Sequence, residues 1–133
     1  MIVINTNAAS EAAWVGPERD ALYASHDAII SELVAKGEFV DSNELDPENV
    51  TVVGTYQGKP VATRGPFTEG TEFIGGYYIV DVASHERAVE IAGQFIEGKY
   101  STIEVRRLMH ETDAMHDANA MHDANAMHET EGN

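Results

Sequence analysis

The order of helical and β-rich segments most strongly limits the folds open to this chain of 133 residues. One helical pattern extends from Pro17 to Lys36 and stops at Gly37, and a second is capped by Ser84 and ends before Gly98. β-rich runs precede, separate and follow the two helices. The order β-α-β(β)-β-α-β predicts the split βαβ or ferredoxin-like plan, an α+β fold in which both helices cover one face of an antiparallel sheet.

The last strand indicates what happens on the other face of that sheet. Ile103 and Val105 alternate with Glu104 and Arg106, so the apolar pair is expected to face the helices and the charged pair to face away. A sheet face without its own helices is often covered by a second copy. We therefore predict a homodimer resembling a dimeric α/β barrel, with a semi-polar cleft between the two sheets. A loop is predicted over Asn7–Gly16, and the predicted strands are Met1–Thr6, Glu38–Leu45, Val50–Tyr56, Val61–Arg64, Phe73–Val82 and Ser101–Leu108.

The charge of the chain argues against several classes of partner. The net charge is −15, and residues 1–108 alone carry 17 acidic against 8 basic side chains, a net −9. Such a surface repels phosphate, which argues against nucleic acid and anionic membranes as partners. The chain has no cysteine, no secretory signal pattern and no apolar run near the roughly 18 residues that span a bilayer. A soluble cytoplasmic protein is expected.

Residues 109–133 differ in kind from the rest. They repeat a six-residue unit, MHETDA then MHDANA twice, without a helical apolar face. We predict a folded domain over residues 1–108 and a low-complexity acidic extension after it. The alternative is that a flexible tail wraps a metal ion such as copper, nickel or zinc. Its candidate ligands are His110, His116, His122 and His128.

His26 is the first candidate for chemistry. At 100° per residue it falls within the apolar stripe of the first helix, near Leu22 and Ile29. A titratable ring on a buried face suits a general acid–base role. The alternative is a core imidazole bonded to a backbone carbonyl. A ring that opens into the cleft within reach of Glu72 or Arg64 would support the acid–base interpretation, and a ring sealed between helix and sheet with a backbone partner would rule it out.

The segment RGPFTEG, residues 64–70, supplies the other candidates. Glu69 and Glu72 would place two carboxylates in one cleft, where one could transfer protons. Otherwise they solvate a turn or pair with Arg64 and Arg106. Tyr77 and Tyr78 point to opposite faces of their strand, so one belongs to the core and the other, which we assign as Tyr78, contacts substrate.

The stretch GPFTEG-x-EFIGGYYIVDV, followed by a helix and STIEVRRL, resembles the YCII-related proteins, in particular the branch named for its DGPF motif. The similarity covers roughly residues 8–108. The resemblance implies a ferredoxin-like α+β fold dimerised through its sheets, with a cleft beside the motif. A few relatives are enzymes acting on small cyclic compounds through a histidine and an aspartate, and His26 occupies a similar position to that histidine. The motif residues that match are Gly65, Pro66, Phe67, Glu69, Glu72, Gly75 and Gly76.

The chain departs from the pattern where the motif begins. Arg64 replaces the aspartate, and Thr71 replaces a usual lysine. A guanidinium cannot take up a proton at neutral pH, although it can hold an anionic group bidentately. Two functions remain open. One is acid–base catalysis on a small anionic or cyclic substrate by His26 and Glu72, with Arg64, Glu69, Tyr78 and Arg106 as substrate contacts. The other is a non-catalytic dimeric module for a small molecule or a protein. The sequence contains no organic-cofactor motif.

Overall fold

A computed structural model of the chain describes residues 1–65 and 72–110. The predicted motif residues Pro66, Phe67, Glu69 and Thr71, and the repeat from residue 111 onward, lie outside these residues. The elements of the described chain are β1 (Ile2–Asn7), α1 (Ala8–Ala13), α2 (Pro17–Ala35), β2 (Phe39–Glu44), β3 (Thr51–Tyr56), β4 (Lys59–Arg64), β5 (Glu72–Val80), α3 (His85–Ala92), the 3₁₀ turn Ile96–Lys99 and β6 (Ile103–Val105).

The strands form two separate antiparallel sheets. Four strands are ordered β2-β5-β1-β6, and β3 pairs only with β4 within the described chain. This mixed α+β arrangement is compatible with the ferredoxin-like plan. The hairpin β3–β4 is an excursion between β2 and β5, and the Gly65 N–H donates to the Val50 carbonyl at its base, 2.8 Å away.

The core lies between the four-stranded sheet and helices α2 and α3. Ile2 and Ile4 of β1 and Tyr78 of β5 are buried on one face of the sheet, and Ile2 lies directly opposite Tyr78 in the β1–β5 register. The helices cover this face with Ile29, Leu33, Ile91 and Ala92. Both helices therefore pack on the same face of the sheet, as the alternation in the strands predicts. The expectation that Tyr78 is the tyrosine outside the core is wrong, because Tyr78 is 3% exposed and Tyr77 points to the other face.

Three features predicted from sequence differ in the structure: a loop, the end of a helix, and the last strand, which covers Ile103–Val105 and not Ser101–Leu108. The expected loop at Asn7–Gly16 contains α1, because the Asn7 side chain accepts the Ser10 N–H and caps an alanine-rich segment with high helix propensity. The second long helix stops at Ala92 instead of continuing to Gly98. Gly93 is a poor residue for a helix interior, and a 3₁₀ turn from Ile96 to Lys99 follows.

Helix α2 matches its prediction closely, and its two halves have different surroundings. Ile29 and Leu33, in the C-terminal half, are buried in the core. In the N-terminal half Leu22 and His26 line a cavity, and Tyr23 is 42% exposed. The continuous apolar stripe therefore serves as core at one end of the helix and as cavity wall at the other. No helix in the described part of the chain is long and apolar enough to cross a membrane.

Candidate functional site

A cavity of about 630 Å³ opens between the N-terminal half of α2 and the sheet. Its floor comes from Ile4 of β1 and from Gly76 and Tyr78 of β5, and α1 and the β2 end complete the walls. An added Cβ at position 76 would lie 3.0 Å from the Asn43 carbonyl oxygen of the neighbouring strand, so Gly76 allows the two backbones to approach closely. The close approach of β2 to β5 thus fixes one side of the cavity.

His26 forms the centre of a hydrogen-bonded chain of three side chains in this cavity. Its Nδ1 lies 2.7 Å from the Tyr78 hydroxyl, and its Nε2 lies 2.6 Å from Glu97 Oε2. The imidazole stacks against the Tyr78 ring with 5.7 Å between ring centroids, and its centroid lies 5.2 Å from that of the Phe95 ring. The side chain is 19% exposed, so the ring is held firmly without being sealed. Both of its partners are side chains, not the backbone carbonyl of the alternative interpretation.

The protonation pattern of the chain follows from the chemistry of its ends. In the tautomer that these contacts favour, Nε2–H of His26 donates to the Glu97 carboxylate and Nδ1 accepts from the Tyr78 hydroxyl. Burial of the phenol, together with the nearby Glu97 carboxylate, raises the pKa of Tyr78 to about 12. Tyr78 therefore keeps its proton at neutral pH and can donate it to His26.

Glu97 is the member of this chain that the sequence did not indicate. A helix that ends before Gly98, as predicted, would place Glu97 in its last turn. Because α3 stops at Ala92, the 3₁₀ turn brings Glu97 beneath α2, where its side chain is only 10% exposed. The signal that could have found it is Gly93, which separates the apolar pattern of α3 from the IEGK segment.

The structure brings together His26 and Tyr78 but places Glu72 elsewhere. The Glu72 carboxylate accepts the Thr102 N–H at 3.1 Å and the Thr102 hydroxyl at 2.6 Å, and the Asn7 amide also contacts it. These contacts tie the start of β5 to the segment before β6. Glu72 does not line the cavity that contains His26. Glu69 lies outside the described residues.

The two predicted arginines also lie away from the cavity. Arg64 ends β4 on the exposed hairpin, and it forms no ion pair with the residues that the structure describes. Arg106 follows β6 and donates to Glu104 Oε2 at 2.9 Å, with its side chain 69% exposed. Hydrogen bonds from Asn5 and Arg106 hold the pKa of Glu104 below its ordinary value. Glu104 and its partner Arg106 belong to the face of the four-stranded sheet opposite the helices, whereas His26 lies on the helix-covered face.

A metal centre has no support in this part of the molecule. Within residues 1–65 and 72–110, no group of three or more His, Asp or Glu side chains is arranged to hold a metal ion. The four tail histidines include His110, and the other three lie beyond the described chain.

Comparison with known proteins assigns the chain to a family. A search of curated proteins gives no match. The family model described as the YCII-related domain matches residues 1–112, which include all ten elements described above and the chain of side chains around His26. The chain therefore belongs to the YCII-related family.

Proposed function

We propose that this protein catalyses proton transfer on a small organic molecule bound in the cavity beside α2. The observation that carries the proposal is the hydrogen-bonded chain from Tyr78 through His26 to Glu97, with distances of 2.7 and 2.6 Å. A base held by a carboxylate on one side and bonded to a hydroxyl on the other is the arrangement that activates hydroxyl groups in many enzymes.

The proposed reaction is a proton relay in which Tyr78 accepts one proton as it gives up another. A substrate C–H or O–H gives its proton to the Tyr78 oxygen while the Tyr78 hydroxyl proton moves to His26 Nδ1. The imidazolium that forms keeps its Nε2–H bond to Glu97, whose charge stabilises it. Return of the proton along the same path, to another atom of the substrate, restores all three side chains. Tyr78 is then the group that contacts substrate, His26 the base behind it, and Glu97 a positioning residue.

The raised pKa of Tyr78 is consistent with this division of roles. A buried phenol with a pKa of about 12 is a weak acid at neutral pH, so His26 must accept its proton as the substrate gives one up. Transfer by a positioned acid–base group contributes about 10²–10⁴-fold to a rate. The cavity of about 630 Å³ has the size of a small-molecule site.

We further propose that the chain is a homodimer, as members of the DGPF branch are expected to be. The dimer would form through the face of the four-stranded sheet opposite the helices, which we call the open face. Tyr77 and Glu104 lie on this face, because their neighbours Tyr78 and Ile103 pack towards the helices. Residues 1–108 would form the domain, with residues 109–133 as an appended tail. Light scattering tests the dimer. Ile79→Arg on the open face should give a monomer, and Val89→Arg on the exposed side of α3 should not.

The proton-transfer proposal is tested by hydrogen–deuterium exchange in D₂O. Small cyclic ketones and lactones are incubated with the protein, and loss of their exchangeable C–H signals is followed by NMR. We expect His26→Gln to slow exchange by about 10²–10⁴-fold. Glu72→Gln is the matched control, because Glu72 is a carboxylate outside the cavity, and it should exchange at the wild-type rate. Equal rates in wild type and His26→Gln would contradict the proposal.

The alternative function is a non-catalytic module that binds a small molecule. It is favoured by the fact that both ring nitrogens of His26 already have partners, as they would in a structural histidine. Binding of a compound to the cavity without any exchange that depends on His26 would establish this alternative.

A further inference from the structure

The cavity that contains His26 has a pronounced excess of negative charge. Among the described residues that line it, one is a guanidinium, Arg19, and five are carboxylates. Four of these carboxylates are exposed at the rim and one is buried at the wall. They are Glu11, Asp27, Glu44 and Glu48 at the rim, and Glu97 at the wall.

The one cation of the lining is already engaged. Arg19 Nε and Nη2 donate to the Tyr23 hydroxyl at 3.2 and 3.1 Å, and that hydroxyl donates to Glu44 at 3.1 Å. The guanidinium also lies over the Tyr23 ring, 5.6 Å from its centroid. Arg64 and Arg106, the two arginines that the sequence predicted to hold an anionic substrate, do not line the cavity. An anion entering here would face carboxylates without a guanidinium free to bind it.

Two buried polar atoms of the lining lack partners within the described protein, the Trp14 Nε1–H donor and the Glu97 Oε1 acceptor, and the acceptor favours a ligand that donates hydrogen bonds. Glu97 is nine-tenths buried at the cavity wall, and its Oε1 has no hydrogen-bond partner within the described protein. A buried carboxylate oxygen without a donor is costly. The same cavity is lined by Trp14 and Tyr23, and aromatic faces attract organic cations.

We propose that the cavity binds a small organic cation, a protonated amine or amidine attached to a compact apolar body. This inference rests on the proposed function, since it names the substrate class of the same site. The rim carboxylates attract the cation and raise its local concentration. The aromatic side chains contact its apolar body, and Glu97 supplies an acceptor for its N–H groups.

Three ligands of the same shape test the charge preference. Benzylamine, benzyl alcohol and benzoate share one ring and differ in charge at pH 7, and their binding to the full-length protein is measured by ligand-observed NMR or calorimetry. We expect benzylamine to bind at least about tenfold more tightly than benzoate at low salt, with the advantage falling as salt screens the exposed rim. Equal affinity for benzylamine and benzoate, or tighter binding of benzoate, would overturn the inference.

Replacing single carboxylates by their uncharged amides distinguishes an effect of the cavity rim on ligand preference from the effect of the net charge of the chain. Glu44→Gln and Asp27→Asn should each reduce the preference for benzylamine over benzoate by about twofold to fivefold. Glu86→Gln, a carboxylate on α3 that does not line the cavity, is the matched control and should leave the preference unchanged. An equal reduction in the control would overturn the inference, because the preference would then reflect net charge alone.

The substrate class and the proposed function fail in different ways. His26→Gln should lose the proton exchange but keep the preference for benzylamine. Exchange that depends on His26 together with a preference for benzoate would reject the substrate class alone. A preference for benzylamine without any exchange that depends on His26 would reject the catalytic proposal and leave a cation-binding cavity.

Discussion

Strand β1 of the four-stranded sheet and the hairpin β3–β4 are built from similar residues but differ strongly in burial. In β1, Ile2, Val3 and Ile4 are at most 6% exposed, whereas every residue of β4 is exposed and Val53 of β3 is 66% exposed. Both segments are rich in β-branched side chains. The difference shows that strand propensity sets the local conformation, while topology decides which strands receive helices and a core.

The hairpin β3–β4 keeps its shape for local reasons. Gln57 and Gly58 both have positive φ, 50° and 77°, between the paired residues Tyr56 and Lys59. Two such residues form the type I′ turn that matches the twist of a two-residue hairpin. A two-stranded hairpin alone is only marginally stable in water, so the free energy of folding must come mainly from the four-stranded sheet and its helices.

The largest effect is expected from a cavity in the packed region. Leu33→Ala should lower the free energy of unfolding by about 2–5 kcal/mol, because Leu33 is 1% exposed and its side chain fills the space between α2 and the sheet. Urea denaturation measures the change. Val34→Ala is the matched control on the next position of the same helix, 59% exposed, and should change stability by less than about 0.5 kcal/mol. Similar losses in both variants would contradict the assigned core.

Much of this packed region could be predicted from sequence, and the reasons are local. The bounds of α2 follow from Pro17 and Gly37, and the turn at Gln57-Gly58 follows from its glycine. The end of α3 was missed because Ala88, Val89 and Phe95 continue a helical apolar spacing past Gly93, and that spacing outweighed the local signal of the glycine. Residues 95–97 are held by tertiary contacts, with Phe95 4% exposed in the core.

The candidate site was predictable only as separate parts. His26 and Tyr78 each stand out by their position in an apolar pattern, but they are 52 residues apart in the chain. Their contact depends on how α2 crosses β5. Glu97 depends in addition on the early end of α3. Glu72 and Arg64 were connected to His26 through their place in or near the motif, and the strands carry both away from the cavity.

A pair of glycines gives the next largest difference between the two regions. Gly76→Ala should cost about 1–3 kcal/mol, since the new Cβ would lie 3.0 Å from the Asn43 carbonyl oxygen, a backbone atom that cannot move easily. Gly54→Ala in the hairpin meets nothing within 4 Å and should be neutral or slightly stabilising. Thermal and urea unfolding of both variants measures the difference. A cost at Gly54 equal to that at Gly76 would mean that the hairpin is packed as tightly as the main sheet.

The pH dependence of stability should also differ between the regions. The phenol of Tyr78 has a pKa of about 12 in the folded protein, against 10.0 for a free side chain. Between these values the unfolded chain binds fewer protons than the folded one, so the free energy of unfolding falls as pH rises. This contribution is intact below pH 10 and amounts to a loss of up to about 2 kcal/mol by pH 12.

Two phenylalanine variants isolate that slope. Tyr78→Phe should reduce the fall in the free energy of unfolding between pH 10 and 12, whatever its effect on stability at neutral pH. Tyr56→Phe in the hairpin, where the side chain is 69% exposed, should leave the slope as in the wild type. Urea denaturation across this pH range provides the values. An unchanged slope in Tyr78→Phe would show that its hydroxyl is not kept protonated by the fold.

The smallest effect is expected when the hairpin is removed altogether. The Val50 carbonyl and the Gly65 N–H are already 2.8 Å apart, so residues 51–64 can be replaced by a short glycine linker without moving the ends of the main sheet. Because the side chains of this hairpin bury little surface, we expect the free energy of unfolding to change by less than about 1 kcal/mol.

Leu33→Ala in the shortened chain should still cost as much as in the full chain, since the two sites share no packing. A loss of several kcal/mol on removing the hairpin would show that its exposed apolar residues pack against another surface in solution. Light scattering of the shortened chain would then identify that surface as a second copy if the protein also became monomeric.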